Sequence, residues 1–72
     1  MIIIDVRTPE EYAQGHLEGA ILIEYPYILR DINRYVDSIH TPIGLYCAAG
    51  IRSGIAEQLL KEHGFTETQN LG

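Results

Sequence analysis

One cysteine, Cys47, stands at the head of the stretch YCAAGIRSG, and it is the only thiol in the 72-residue chain. Three small residues, Ala48, Ala49 and Gly50, follow it, and then Ile51, Arg52 and Ser53. A thiol becomes a nucleophile only as its anion, and that anion needs positive charge or N–H donors close by. Small side chains let backbone N–H groups close round a sulfur atom or an anion. If the loop opens a helix, the unpaired N–H groups of the first turn add their partial positive charge. Together these effects lower a thiol pKa from about 8.5 to roughly 3.5–7.5. Arg52 adds a full charge at the rim, and the Ser53 hydroxyl can donate to the site or cap the helix. The bland alternative is a small buried hydrophobe that ends a strand, as unpaired cysteines often are.

The surrounding elements have to present that loop. IIIDV (Ile2–Val6) is a β-branched run and reads as a buried strand. Thr8, Pro9 and Glu11 form a capping-box pattern, which predicts a short helix to about Ala13 or Gln14, stopped by Gly15. A second strand is expected around Ile21–Ile23. Apolar residues at Ile28, Leu29, Ile32, Val36 and Ile39 have helical spacing and predict a helix as far as the Thr41–Pro42 break. IGLYC (residues 43–47) reads as the third strand, with Cys47 at its carboxyl end. A helix from Arg52 or Ser53 to His63 follows, with Ile55, Ala56, Leu59 and Leu60 expected on its buried face and Gly64 as its cap. The polar segment FTETQN (residues 65–70) predicts a last strand near an edge. Strands alternating with helices imply an α/β domain: a parallel sheet of about four strands flanked by helices, without repeats or linkers, spanning 1–72 as one unit. In such a sheet, ligands bind beyond the carboxyl ends of the strands, where Cys47 lies.

Composition narrows the function. Ten acidic against five basic side chains give a net charge of −5, which argues against nucleic acid and anionic membranes as partners. No apolar run is long enough to span a bilayer. The start of the chain lacks the charge order of a signal peptide. The expectation is therefore a cytoplasmic protein, or a periplasmic one if a signal peptide has been removed. His16, His40 and His63 are not at metal-ligand spacing, so no metal is expected, and nothing implies an organic cofactor.

Two segments together resemble the rhodanese family of sulfurtransferases, in particular its short single-domain bacterial members. The first is DVRTPEEYAQGHLEGAILI (residues 5–23), where Tyr12, His16, Leu17, Gly19, Ala20 and Ile23 match a family motif. The second is the loop CAAGIRS. Glu18 departs from the proline common at its position, and the chain is shorter at both ends than is common in the family. The resemblance implies a rhodanese-like sheet and a Cys47 persulfide formed from a donor such as thiosulfate. It implies donor binding by Ala48, Ala49, Gly50, Ile51, Arg52 and Ser53. With one cysteine only, the acceptor must be external: a thiol such as thioredoxin or glutathione, or cyanide. Phosphatases and arsenate reductases of this fold have five residues between cysteine and arginine, whereas four stand between Cys47 and Arg52. Three other readings remain: a non-catalytic rhodanese-like regulatory or binding module, a phosphatase or arsenate reductase, and a Cys–His hydrolase pairing Cys47 with His16. Asp5 and Arg7 follow the first strand and either line the site or fix the turn by an ion pair. For His16, a structural hydrogen bond is favoured over proton transfer.

Overall fold

The computed structural model describes residues 1–72. Four strands, β1 (Ile2–Asp5), β2 (Ile21–Leu22), β3 (Ile43–Tyr46) and β4 (Thr68–Asn70), form one sheet in the order β2-β1-β3-β4. All three pairings are parallel, with Ile4 opposite Ile21 and Leu45, and Leu45 opposite Asn70. The carboxyl ends of the four strands therefore share one edge of the sheet.

Strand alternation sends Ile4, Ile43 and Leu45 to one face, where all three are fully buried. There they meet Ile28, Ile32, Ala56 and Leu60 in a single core. Burying each large aliphatic side chain contributes about 1.5–3 kcal/mol, which is the main support for so small a domain. On the other face, Gly44 lies beneath Met1, Ile3 and Leu71. A Cβ at Gly44 would come within 2.8 Å of both Leu71 Cδ1 and Met1 Sδ.

Three helices accompany the sheet: α1 (Pro9–Gln14), α2 (Ile28–Asp31) and α3 (Ile51–Glu62). The capping box forms as the sequence predicts. The Glu11 N–H donates to Thr8 Oγ1 at 3.2 Å, and the Thr8 N–H donates to Glu11 Oε1 at 3.1 Å. No residue of α1 is buried, so polar ties hold this helix in place of a packed face.

The continuous helix expected over Ile28–Ile39 does not form. Tyr25–Tyr27 and Ile32–Arg34 are 3-10 turns on either side of the four-residue α2. Ile28, Ile32 and Val36 still point into the core, so the apolar stripe survives although the helix does not. Ile32, Asn33, Tyr35, Val36 and Asp37 all have modest helix propensity, and burial of three side chains needs only successive turns. Ile39 is exposed. In α3 the buried residues are Ser53, Ala56 and Leu60, while Ile55, expected on that face, is 44% exposed. No helix is long and apolar enough to cross a membrane.

Candidate active site

Cys47 directly follows β3, and its N–H donates to the main-chain oxygen of Gly72 at 3.1 Å. The chain then turns back through Ala48 and Ala49 to Gly50, the N-cap of α3, at φ 86°. This left-handed conformation suits glycine and is strained for other residues. The turn folds the first N–H groups of α3 round the sulfur. The Gly50 N–H donates to Cys47 Sγ at 3.0 Å and the Ser53 N–H at 3.4 Å, with Ser53 Oγ also 3.4 Å from the sulfur. Cys47 is 7% exposed. Burial alone would raise its pKa. The Ser53 hydroxyl and the N–H groups of Ser53, Ala49 and Gly50 outweigh burial and bring the thiol down to about 7. Near neutral pH a large share of Cys47 is thus thiolate, as a nucleophile requires. The N–H groups of Ala48, Ile51 and Arg52 donate to no other protein group, leaving them available at the mouth of the loop.

The Arg52 guanidinium makes no hydrogen bond to the sulfur and is held by Glu11. Its Nη1 and Nη2 reach the two carboxylate oxygens of Glu11 at 2.7 and 3.0 Å. Hydrogen bonds from Arg52 and from the Thr8 N–H hold the Glu11 carboxyl down at about 2. The rim of the site therefore carries a bidentate ion pair that joins α1 to α3. The Ile51 side chain is 72% exposed beside it.

Asp5 and Arg7 form the ion pair expected of the turn. Asp5 is fully buried and accepts from Arg7 Nε, Arg7 Nη2, the Arg7 N–H and Tyr46 Oη. Burial pushes the Asp5 carboxyl up, but these bonds prevail and hold it below its usual value. Arg7 Nη2 also donates to the Gly15 carbonyl at 2.6 Å, which fixes the end of α1. Neither residue bonds to Cys47. His16 is also structural: its Nδ1 donates to the Tyr12 carbonyl at 2.8 Å and its ring stacks on that of Tyr12 at 3.5 Å. That removes the imidazole a Cys–His hydrolase would need. Tyr12 Oη donates to the Ala20 carbonyl at 2.6 Å, so the Tyr12–Ile23 motif closes the connection from α1 to β2 and contains no chemistry of its own.

Three residues that the sequence did not single out for the site belong to it or support it. Glu11 was read only as a helix cap. Tyr46 Oη accepts from the Leu17 N–H at 3.0 Å and donates to Asp5 at 2.7 Å. Asn70, at the end of β4, bonds to Ser53, Gly50 and Gly72. No sequence signal marks them, because they meet the loop only once the sheet order brings the ends of β1, β3 and β4 side by side, with α1 following β1.

A four-stranded parallel sheet with a cysteine sulfur cradled by backbone N–H groups at the carboxyl end of an inner strand is the arrangement of a rhodanese-type domain. The rhodanese-like domain model matches residues 1–72, and the chain belongs to that family. It is 41% identical over 69 residues to the thiosulfate sulfurtransferase PspE of Escherichia coli, covering 96% of this chain and 66% of PspE. It is 34% identical over 76 residues to the tRNA uridine(34) hydroxylase of Chlamydia abortus, of which it spans 23%. The solved structure described as a rhodanese with anions from E. coli superposes with a TM-score of 0.95 at 39% identity, over 99% of this chain and 84% of that one.

Proposed function

We propose that the protein is a sulfurtransferase that carries sulfane sulfur on Cys47. The supporting observation is the convergence of the Gly50 and Ser53 N–H groups on a Cys47 sulfur whose pKa lies near 7. In the first half-reaction the thiolate attacks the outer sulfur of thiosulfate. The new bond joins Sγ to that sulfur, the old S–S bond breaks, and its electron pair leaves with sulfite. Both reactants are anions, and the loop N–H groups with the Arg52 charge offset their repulsion. In the second half-reaction an external thiol such as thioredoxin or glutathione, or cyanide, attacks the outer sulfur of the persulfide. The electron pair of the Sγ–S bond returns to Cys47 as thiolate. No second cysteine is present to take the sulfur internally. These are the two steps of covalent catalysis with ping-pong kinetics.

The four-residue spacing of the loop favours sulfur over a phosphate as its occupant. A lowered thiol pKa in place counts against a purely regulatory module. The test is mass spectrometry after incubation with thiosulfate. The wild type should gain the mass of one sulfur, removable by cyanide, and Cys47→Ser should gain none, because an alcohol is not ionised near neutral pH. Full thiosulfate:cyanide activity in folded Cys47→Ser would refute the proposal.

A further inference from the structure

Ser53 Oγ lies between two groups that both want its single proton. On one side is Cys47 Sγ at 3.4 Å, and on the other is Asn70 Oδ1 at 2.7 Å. The orientation of the Asn70 amide is fixed by its other partners. Nδ2 donates to the Gly50 carbonyl at 3.1 Å, and Oδ1 accepts the Gly72 N–H at 3.0 Å. Turning the amide over would set two acceptors face to face at Gly50 and two donors at Gly72, so Oδ1 is the atom that faces Ser53. A hydroxyl has one proton to give, and the shorter bond takes it. Ser53 therefore presents a lone pair to sulfur, and the thiol S–H donates to it.

From this geometry we infer that Asn70 is a positioning residue for the nucleophile: it holds the Ser53 proton away from sulfur and so keeps the Cys47 thiolate more basic and more nucleophilic. When Cys47 ionises, its proton leaves to water. The Ser53 hydroxyl then turns about its Cβ–Oγ bond to donate to Sγ, giving up Asn70. Each thiolate formed must break that neutral hydrogen bond to gain a charge-assisted one. A thiolate gains intrinsic nucleophilicity as its pKa rises, so the brake serves attack on a sulfur donor. In this respect the inference rests on the sulfur-transfer reading, whereas the titration itself does not.

The other groups near the thiol leave this role to Asn70. From α3, Arg52 carries a charge that interacts with the thiolate and is tied to Glu11 of α1, with Arg7 opposing it from the turn after β1. From β3, Tyr46 turns to the opposite side to bond Asp5. At this end of β4 Asn70 and Leu71 are neutral, Glu67 lies at the other end beside Ile43, and Gly72 gives a main-chain oxygen to the Cys47 N–H. Truncating Asn70 leaves no buried orphan. Asn70 is exposed, and the Gly50 carbonyl keeps the Gly54 N–H at 3.1 Å.

The test is the pH dependence of Cys47 alkylation by iodoacetamide, with thiolate absorbance read in parallel, for the wild type, Asn70→Ala, Ser53→Ala and the double variant. Asn70→Ala should move the midpoint down by about half to one pH unit, the worth of the neutral hydrogen bond that ionisation no longer has to break. Its plateau rate at high pH should fall roughly two- to threefold. Ser53→Ala should move the midpoint up, and Asn70→Ala should add nothing in that background. Asn70→Leu, which fills the volume without an acceptor, should follow Asn70→Ala. An upward shift, no shift, or the same shift without Ser53 would overturn the inference. So would variants that do not fold, since Asn70 would then be a structural residue. Alkylation needs no sulfur donor, so a wild type that shows this pattern without persulfide formation would count against the sulfur-transfer reading alone.

Discussion

Removing Arg52 should injure the first half-reaction more than the second. Thiosulfate brings two negative charges to a thiolate on a protein whose net charge is −5, so attraction must be local. The Arg52–Glu11 pair at the rim is nearly neutral as a unit, with both side chains about one-third exposed (29% and 32%). As the dianion arrives, the guanidinium can turn part of its donor set towards it. A charge-assisted contact of that kind is worth about 1.5–3 kcal/mol. At about 1.4 kcal/mol per factor of ten, Arg52→Ala should lower kcat/KM for thiosulfate roughly 10- to 100-fold. The abandoned Glu11 carboxylate stays ionised at neutral pH and adds repulsion, which places the single variant towards the larger loss. Arg52→Ala combined with Glu11→Gln should recover part of it, since glutamine keeps the contacts to Thr8. Transfer from preformed persulfide to a thiol or to hydrogen cyanide should suffer less. Raising salt should slow the wild type's thiosulfate step more than the variant's. Stopped-flow measurement of the two half-reactions separates these effects. Equal losses in both, or none in either, would mean that Arg52 serves only to tie α1 to α3.

Three further outcomes follow from the geometry. Sulfur loading should rise with pH through a midpoint near 7, the Cys47 value, and level off above it in a single-turnover assay; since that value lies below the ordinary 9.0, ionised Cys47 also contributes stability that is complete above about pH 9 and lost as pH falls through about 7, a dependence that Cys47→Ser should abolish in urea titrations. Asp5→Asn should lower the thermal denaturation midpoint, because it takes the negative charge from a fully buried position that holds the Arg7 guanidinium; the stability that ionised Asp5 contributes in the wild type should be lost in acid, as pH falls below the usual 3.8 and through the lowered folded value. Inserting one glycine after Gly50 should weaken sulfur transfer, and the unmodified protein should show negligible hydrolysis of aryl phosphates; robust phosphatase activity in it would contradict the loop-size reasoning.

Local signals in the sequence were reliable where the cause was local. The β-branched run at Ile2–Ile4, the Thr8–Pro9–Glu11 cap and the Cys47–Ser53 loop each form where their residue types require. The stretch from Ile28 to Ile39 misled because buried side chains at i and i+4 fit separate turns as well as one helix. The rest of the site was hidden for a different reason. Glu11 meets Arg52, Asp5 meets Tyr46 and Ser53 meets Asn70 only through strand order and register. A capping box accounts for Glu11 fully, and a polar edge strand accounts for Asn70, so neither residue asks for a second explanation until the sheet is assembled.

The strand order has a consequence for biosynthesis. β1 lies inside the sheet although it is made before the other three strands, and its neighbour β3 is made some forty residues later. Until then Ile2, Ile3 and Ile4 form an apolar, β-prone segment with both edges open, the kind of sequence that pairs with other chains. Asp5 and Arg7 follow directly, the placement in which charged residues interrupt such a segment. Once β3 docks, the same two charges turn inward to each other, and Asp5 becomes fully buried. The two charges that border the open segment in the growing chain are thus the ones that close on each other at the end of β1 in the finished sheet.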